Sequence, residues 1–137
     1  MEDFPSPRHL AIKVMMMPRD TNPSGTIFGG VLLSYIDQAG AIGARHEIQA
    51  RGWPESPIVT VAMNGVEFHH SVFVGDTVSF WTRVLRVGTT SIATHVTVEL
   101  ERDGSVVLVT EAEVIYVAID PNTPQRRPRP IRGVQAN

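Results

Sequence analysis

The feature that most constrains the fold of this chain is that only one segment has the pattern of a long helix. Apolar residues recur at helical spacing over 29–48, and Gly52, Pro54 and Pro57 then end the helix. One strand pattern precedes this segment and four follow it. Because a single helix covers one face of a five-stranded sheet, the pattern predicts an α+β layer fold. The second face of the sheet is then expected to be buried against another subunit, which predicts an oligomer.

The predicted strands are separated by clear turn signals. They cover 10–17, 58–68, 77–87, 90–101 and 106–119. The fourth alternates between apolar and polar residues, as a half-buried antiparallel strand does, and Asp103-Gly104 predicts a hairpin after it. We therefore expect a single domain over 1–120, followed by a Pro- and Arg-rich mobile tail over 121–137.

Composition excludes several classes of function. With a net charge of −2, the chain lacks the electrostatic footprint of a nucleic-acid-binding protein. The absence of cysteine excludes disulfides, thiolate metal sites and a cysteine nucleophile. No apolar run approaches the roughly 20 residues of a membrane span, and residues 1–18 lack the layout of a signal peptide. We therefore expect a cytoplasmic protein that binds neither nucleic acid nor a membrane.

One carboxylate within the predicted helix is the first candidate functional residue. The neighbours of Asp37 one turn away are small or apolar: Leu33, Ser34, Gly40 and Ala41. Burial of a carboxylate is costly unless something compensates, and such carboxylates are concentrated at functional sites. The alternative is an ordinary helix residue that faces solvent.

Several short motifs occur together in one order along the chain. They are 17–30, Ile36-Asp37, Val74-Gly75-Asp76, 86–91 and Tyr116-Val117-Ala118. This combination closely resembles the hotdog-fold acyl-coenzyme A thioesterases, and within them the bacterial YciA type, which is related to the cytosolic acyl-CoA hydrolases of animals. The resemblance extends over residues 10–120.

The resemblance carries expectations for the fold and the activity. It implies a hotdog fold, in which a five-stranded antiparallel sheet wraps around one long helix. It also implies hydrolysis of acyl-CoA to a free carboxylic acid and CoA without any metal or redox cofactor. Proteins of this type are usually homodimers assembled into hexamers, as a trimer of dimers.

By the same resemblance, Asp37 is the catalytic carboxylate and Asn22 is its polar partner. A partly desolvated carboxylate is suited to thioester hydrolysis, either as a nucleophile that forms an anhydride or as a base that deprotonates water. For Asn22 the alternative is an Asx-turn before Pro23, without any catalytic role.

Gly29 and Gly30 stand at the predicted start of the helix. Glycine there either eases a tight turn or lets a thioester carbonyl approach the free N–H groups, which would stabilise its developing oxyanion. Gly30 and Asp37 are seven residues apart, which is roughly 10 Å along a helix, whereas attack needs groups within about 3–3.5 Å. The two groups acting on one thioester are therefore expected to come from different subunits, at a dimer interface.

A predicted turn between two strands is the expected contact for the CoA portion of the substrate. The residues concerned are Arg86, Thr89, Thr90 and Ser91. In this interpretation the arginine lies near the phosphates and the hydroxyls near the pantetheine, whereas the alternative is a strand end and turn without a ligand. The tail arginines are expected to form a solvated face, with a role in holding nucleotide phosphates as the alternative.

Histidines offer two further hypotheses. His69 and His70 are adjacent, so in a strand they would point to opposite faces and could not chelate one ion, and no metal site is expected. The family that the chain resembles usually has bulkier and cationic residues before the position of Val72, and His70 departs from that pattern. A hotdog hydratase would need a histidine–carboxylate pair, but His46 follows Asp37 by nine residues, about 13 Å along the helix. A non-catalytic acyl-CoA-binding protein is the other alternative.

Overall fold

A computed structural model describes residues 3–133 of the chain. One long helix and five strands form the fold, in agreement with the sequence prediction. Their bounds are β1 His9–Met15, α1 Gly29–Ala50, β2 Ile58–Asn64, β3 Thr77–Val87, β4 Ser91–Arg102 and β5 Ser105–Ala118, with one turn of 3-10 helix at Pro18–Asp20. Strand β2 ends earlier than predicted, because Gly65 follows it with a φ of 72° that turns the chain out of the sheet.

The five strands form one antiparallel sheet in the order β1-β3-β4-β5-β2. Strands β1 and β2 are therefore the two opposite edges of the sheet, separated by β3, β4 and β5. Strand β4 alternates as predicted, with Ile92, Val96 and Leu100 buried and His95 and Thr97 half-buried. The alternation places one face of the sheet against α1 and the other face outward.

The hydrophobic core lies between α1 and the inner face of the sheet. Ile36 of the helix and Phe80, Val96 and Tyr116 of three different strands are all buried in one cluster. Burial of each large apolar side chain contributes about 1.5–3 kcal/mol to the free energy of unfolding. This packing seats α1 on the inner face of the sheet, and Asp37 lies where the helix reaches Thr60 of β2 and Tyr116 of β5.

The outer face of the sheet is more polar than the inner face. Arg86 pairs with Glu113, and the Arg8 guanidinium forms a salt bridge of 3.1 Å with Glu99 while lying 4.2 Å from the centre of the Trp81 ring. The most exposed aromatic surface of this face is therefore covered by an arginine from the same chain. Burial of this face against another subunit stays a prediction.

The segment after residue 120 contacts the domain, and the mobility of the tail stays a prediction. Its backbone pairs with the domain, since the Arg129 N–H donates to the carbonyl of Ala118 and the Ile131 N–H to the carbonyl of Thr89, both at 2.9 Å. Ile131 is only 2% exposed, so it anchors the segment in the core. Residues 134–137 of the tail lie outside the described residues. In 3–133, no helix is long and apolar enough to cross a membrane.

Candidate active site

Asp37 lies in the third turn of α1 and faces the end of the sheet formed by β5 and β2. The Thr60 hydroxyl donates a hydrogen bond of 2.7 Å to Asp37 Oδ1. The Tyr116 hydroxyl donates to the Asp37 backbone carbonyl at 2.6 Å and lies 3.3 Å from Oδ1. Asp37 is half-buried, so it is not the solvent-facing helix residue of the alternative interpretation. Among the described residues, no group donates a hydrogen bond to its second oxygen, Oδ2.

Tyr116 is a neutral donor beside this carboxylate. Its side chain is 1% exposed. Burial, and after it the negative charge of Asp37, raise the pKa of Tyr116 well above its ordinary value. The phenol therefore stays protonated at any pH at which the enzyme would work, and it always has a proton to donate to Asp37.

The helix begins at Gly29 with free backbone donors. Over the described part of the chain, neither the Gly29 nor the Gly30 amide donates a hydrogen bond, and Phe28 supplies no side-chain cap. Gly30 is exposed, and nothing lies within 4 Å of the position that its Cβ would take, so a ligand can approach the helix start closely at this residue. The positive end of the helix dipole adds to the attraction for a negative oxygen.

A pocket of about 300 Å³ opens beside this helix start. Its lining includes Ile27, Gly29, Phe68, His69 and His70. The two histidines were expected to point to opposite faces if they lay in a strand. They do not lie in a strand, because β2 ends at residue 64, and both residues line the same pocket. In residues 3–133 no group of three or more His, Asp or Glu side chains is arranged to hold a metal ion.

Asn22 organises its own loop. Its Oδ1 accepts hydrogen bonds from the backbone N–H groups of Ser24 at 2.9 Å and Thr26 at 3.1 Å, and its Nδ2 donates to the Thr26 hydroxyl at 2.8 Å. This is the Asx-turn that the alternative interpretation predicts. The loop closes onto the helix start, because the Phe28 N–H donates to the carbonyl of Asp20 at 2.9 Å. Asn22 therefore belongs to the same end of the molecule as Gly29.

One chain keeps the predicted catalytic residues in two groups. Asn22 and the helix-start glycines are at one end of α1, and Asp37 lies about 10 Å further along the same helix. No hydrogen bond joins Asp37 to Asn22 in the described part of the chain. A single chain thus presents two half-sites, one with the carboxylate and one with the free amides.

The four residues predicted to contact CoA lie in the β3–β4 turn or at the adjacent strand ends, and each of them also has a hydrogen-bond or ion-pair partner within the chain. Arg86 points away from α1 and pairs with Glu113 on the outer face of the sheet. The backbone carbonyls of Thr89, Thr90 and Ser91 all accept hydrogen bonds from the chain itself. Their side chains remain partly or fully exposed. A role in CoA binding stays a prediction for all four.

No histidine forms the pair that a hydratase would require. The His46 ring stacks on His9, with ring centres 3.8 Å apart and planes within 5°. In residues 3–133 no ion pair or hydrogen bond joins a histidine to Asp37.

Thr60 and Tyr116 were not singled out as site residues from the sequence, although Tyr116 lies in one of the family motifs. Both face α1 on neighbouring strands, where Thr60 is directly opposite Tyr116 in the register. A hydroxyl at a helix-facing position among apolar neighbours is the signal that could have identified them.

Comparisons with known proteins agree with the fold described above and with the family that the sequence resembles. The family model of the Thioesterase superfamily matches residues 24–107. Acyl-CoA thioester hydrolase YciA of Salmonella typhimurium is 39% identical over 129 residues, which cover 90% of this chain and 92% of that protein.

Solved structures show the same architecture. A hexameric thioesterase from Yersinia pestis has a TM-score of 0.78 at 35% identity, and the match covers 94% of this chain and 97% of that one. A hexameric hotdog fold thioesterase of Campylobacter jejuni has a TM-score of 0.72 at 40% identity, with 88% of each chain covered. This chain therefore belongs to the Thioesterase superfamily, and it is a thioesterase with the hotdog fold.

Proposed function

We propose that the chain is an acyl-CoA thioester hydrolase in which Asp37 is the catalytic carboxylate. The observation that carries this proposal is a half-buried carboxylate in a chain of the Thioesterase superfamily. Thr60 and Tyr116 hold one of its oxygens, and no group among residues 3–133 donates to the other. The acyl-CoA substrate is inferred from the YciA relatives, which are acyl-CoA thioester hydrolases.

Asp37 has two possible roles in this reaction. As a base, its carboxylate takes a proton from water, and the resulting hydroxide attacks the thioester carbonyl carbon. The C–S bond then breaks, so that CoA leaves as a thiolate that is protonated and the acyl group becomes a carboxylic acid. As a nucleophile, the carboxylate itself displaces CoA to form an anhydride, which water then hydrolyses. In both cases amide donors at a helix start would stabilise the oxyanion.

We propose that each active site is built from two chains. Asp37 is supplied by one chain, and the amides of Gly29 and Gly30, together with Asn22, by its partner. The separation of about 10 Å along α1 supports this arrangement, because one thioester cannot reach both groups of the same helix.

The position of β2 supports the same arrangement. This strand pairs with β5 on one side, and its other edge has no partner strand among residues 3–133. Val59 and Val61 on β2 are exposed, 38% and 56% respectively. Unpaired, apolar edge strands pair readily with another chain.

Antiparallel pairing of two β2 strands would bring the half-sites together. In such a pair, the end of one strand lies beside the start of the other. Thr60 is near the start of β2, and the segment after its end carries Phe68, whose ring lies 3.5 Å from the position of a Gly29 Cβ. The partner's Gly29 would thus approach the Thr60 and Asp37 of the first chain. We therefore propose a homodimer with two equivalent sites.

A hexamer, as a trimer of dimers, is proposed from the relatives, because the similar structures from Yersinia pestis and Campylobacter jejuni are hexameric. We further propose that the reaction needs no metal or cofactor, with CoA entering only as part of the substrate. The exposed side chains of Arg86 and Thr89, and the half-buried side chains of Thr90 and Ser91, remain the proposed contacts for the CoA portion.

The experiment that tests the function measures CoA release with DTNB on a panel of acyl-CoAs, using the wild type and Asp37→Asn. Since the chain has no cysteine, it adds no thiol background. The wild type should release CoA, and the variant should lose about two orders of magnitude or more in kcat. Wild-type binding without turnover would favour a non-catalytic acyl-CoA-binding protein. A folded Asp37→Asn variant that keeps more than about a tenth of wild-type kcat would remove Asp37 from the catalytic role.

A further inference from the structure

Tyr116 reaches Asp37 through a gap in the helix surface that exists only because residue 40 is glycine. A methyl group at Gly40 would overlap the Tyr116 hydroxyl and lie 3.2 Å from both Cε2 and Cζ of its ring. The ring has little freedom to move aside, since Tyr116 is 1% exposed and belongs to the core. Gly40, which is one turn after Asp37 on α1, thus leaves the space that the Tyr116 side chain of β5 occupies.

The hydrogen bonds at Asp37 are asymmetric. Thr60 lies 2.7 Å from Oδ1 and the Tyr116 hydroxyl lies 3.3 Å from the same oxygen, while the phenol also holds the Asp37 carbonyl at 2.6 Å. Oδ2 receives no hydrogen bond from the described residues. Both donors approach from the sheet side, so they orient the carboxylate with one oxygen occupied and the other free.

We propose that Tyr116, seated against Gly40, is a positioning residue that presents Oδ2 of Asp37 to the thioester. The inference rests on the proposed role of Asp37. Tyr116 cannot itself contact substrate, because it is buried beneath the helix. It acts by holding both the backbone and the carboxylate of Asp37, and misplacement of a reacting group by about 1 Å is enough to slow a reaction roughly 100-fold.

The charge environment makes this contact simple to test. In residues 3–133 Asp37 forms no ion pair, and Tyr116 is the titratable side chain that donates to it. Tyr116 stays neutral because burial and the Asp37 charge raise its pKa. Tyr116→Phe therefore removes a hydrogen-bond donor without changing the charge of the site.

The first test is Tyr116→Phe, with Tyr35→Phe as the matched control. Tyr35 lies on α1, two residues before Asp37, and its ring packs near Phe80. In the described part of the chain it donates no hydrogen bond. Tyr116→Phe should lower kcat about tenfold with KM changed by less than about twofold, because the carboxylate is misplaced while the substrate contacts are kept. Tyr35→Phe should match the wild type in both kcat and KM.

The second test uses Gly40→Ala alone and combined with Tyr116→Phe. In the wild-type background the new methyl group displaces the hydroxyl, so kcat should fall as it does in Tyr116→Phe. In the Phe background the overlap with the hydroxyl is absent, so the methyl group should cost much less in both kcat and Tm. Such non-additivity is expected only of residues in contact.

The outcomes separate this proposal from the proposed function. If Asp37→Asn is inactive but Tyr116→Phe behaves like Tyr35→Phe, Tyr116 is not a positioning residue, although Asp37 remains catalytic. A drop in kcat accompanied by a comparable change in KM would also overturn it, because a general disturbance of the site impairs substrate binding as well. If Asp37→Asn keeps its activity, the proposed function itself fails. Equal losses from Gly40→Ala in both backgrounds would contradict the role of glycine.

Discussion

Thr60 donates its hydroxyl to Asp37 Oδ1 over 2.7 Å, and this bond ties the edge strand β2 to the middle of α1. The two residues are 23 positions apart in the chain. Because β2 is the strand proposed to pair with a second copy, this bond connects the dimer edge to the proposed catalytic carboxylate.

The Thr60 bond gives the first prediction. Thr60→Val removes the hydroxyl at nearly constant shape and should reduce kcat by roughly tenfold or more, because hydrogen bonds to charged groups contribute about 1.5–3 kcal/mol. Thr60→Ser keeps the donor and should retain most of the activity. Both can be measured by DTNB-detected CoA release. A folded Thr60→Val enzyme with wild-type kcat would show that the bond has no part in catalysis.

Shared sites make a quantitative prediction for mixed assemblies. Asn22→Ala and Asp37→Ala should each be inactive, but after co-refolding they should recover activity. If chains pair at random, about a quarter of the sites combine an intact Asn22 with an intact Asp37, so recovery should approach about a quarter of wild type. Mass spectrometry should first confirm that mixed dimers are present. Mixed dimers without any recovery would contradict a site built from two chains.

The His9–His46 stack predicts acid sensitivity of the fold. Burial and, second, the charge of His46 lower the pKa of His9 below its ordinary value of 6.5. The unfolded chain therefore takes up a proton at His9 more readily than the folded chain, so this contribution to stability is present above pH 6.5 and is lost as the pH falls below it. Urea unfolding followed by tryptophan fluorescence should show this decline.

His46→Phe is the variant that isolates this effect. It keeps a ring stacked on His9 but removes the titratable partner. The decline in stability on the acid side should become shallower than in the wild type, whereas above about pH 8 the two stability curves should run parallel. Identical slopes on the acid side would show that His46 does not influence the titration of His9.

A metal-free mechanism predicts that chelators have no effect. No cluster of metal ligands exists in the described part of the chain, and the proposed chemistry uses a carboxylate and amide donors. EDTA, zinc and magnesium should leave the rate of CoA release unchanged. Loss of activity in EDTA that is restored by added metal would show that the carboxylate mechanism is wrong.

The overall architecture was predictable because hydrophobic periodicity separates one helix from five strands. Strand β4 shows this most clearly, since its alternation from Thr94 to Leu100 matches the observed burial, whereas Ala93, which was expected on the outward face, is also buried. The end of β2 was not predictable to the residue, because a turn at Gly65 depends on a backbone angle that apolar patterns do not encode.

The candidate site was predictable only in part. Asp37 stands out because its helical neighbours are small and apolar, and the free amides of Gly29 follow from its position at a helix start. Thr60 and Tyr116 depend on the pairing of β2 with β5. A register shift at Val61 moves the residues after it to other partners, and single-strand patterns do not show such shifts.

The strand order also has a consequence for how the enzyme is made. Within residues 3–133, strand β2 is joined to the sheet only by β5, although the 40 residues of 65–104 lie between them. While the chain emerges from the ribosome, β2 therefore cannot join the sheet, and Asp37 cannot gain its final contacts, until the last strand has been synthesised. Tyr116, which is 79 positions after Asp37, arrives with that strand, so completion of the sheet and organisation of the carboxylate occur in one event.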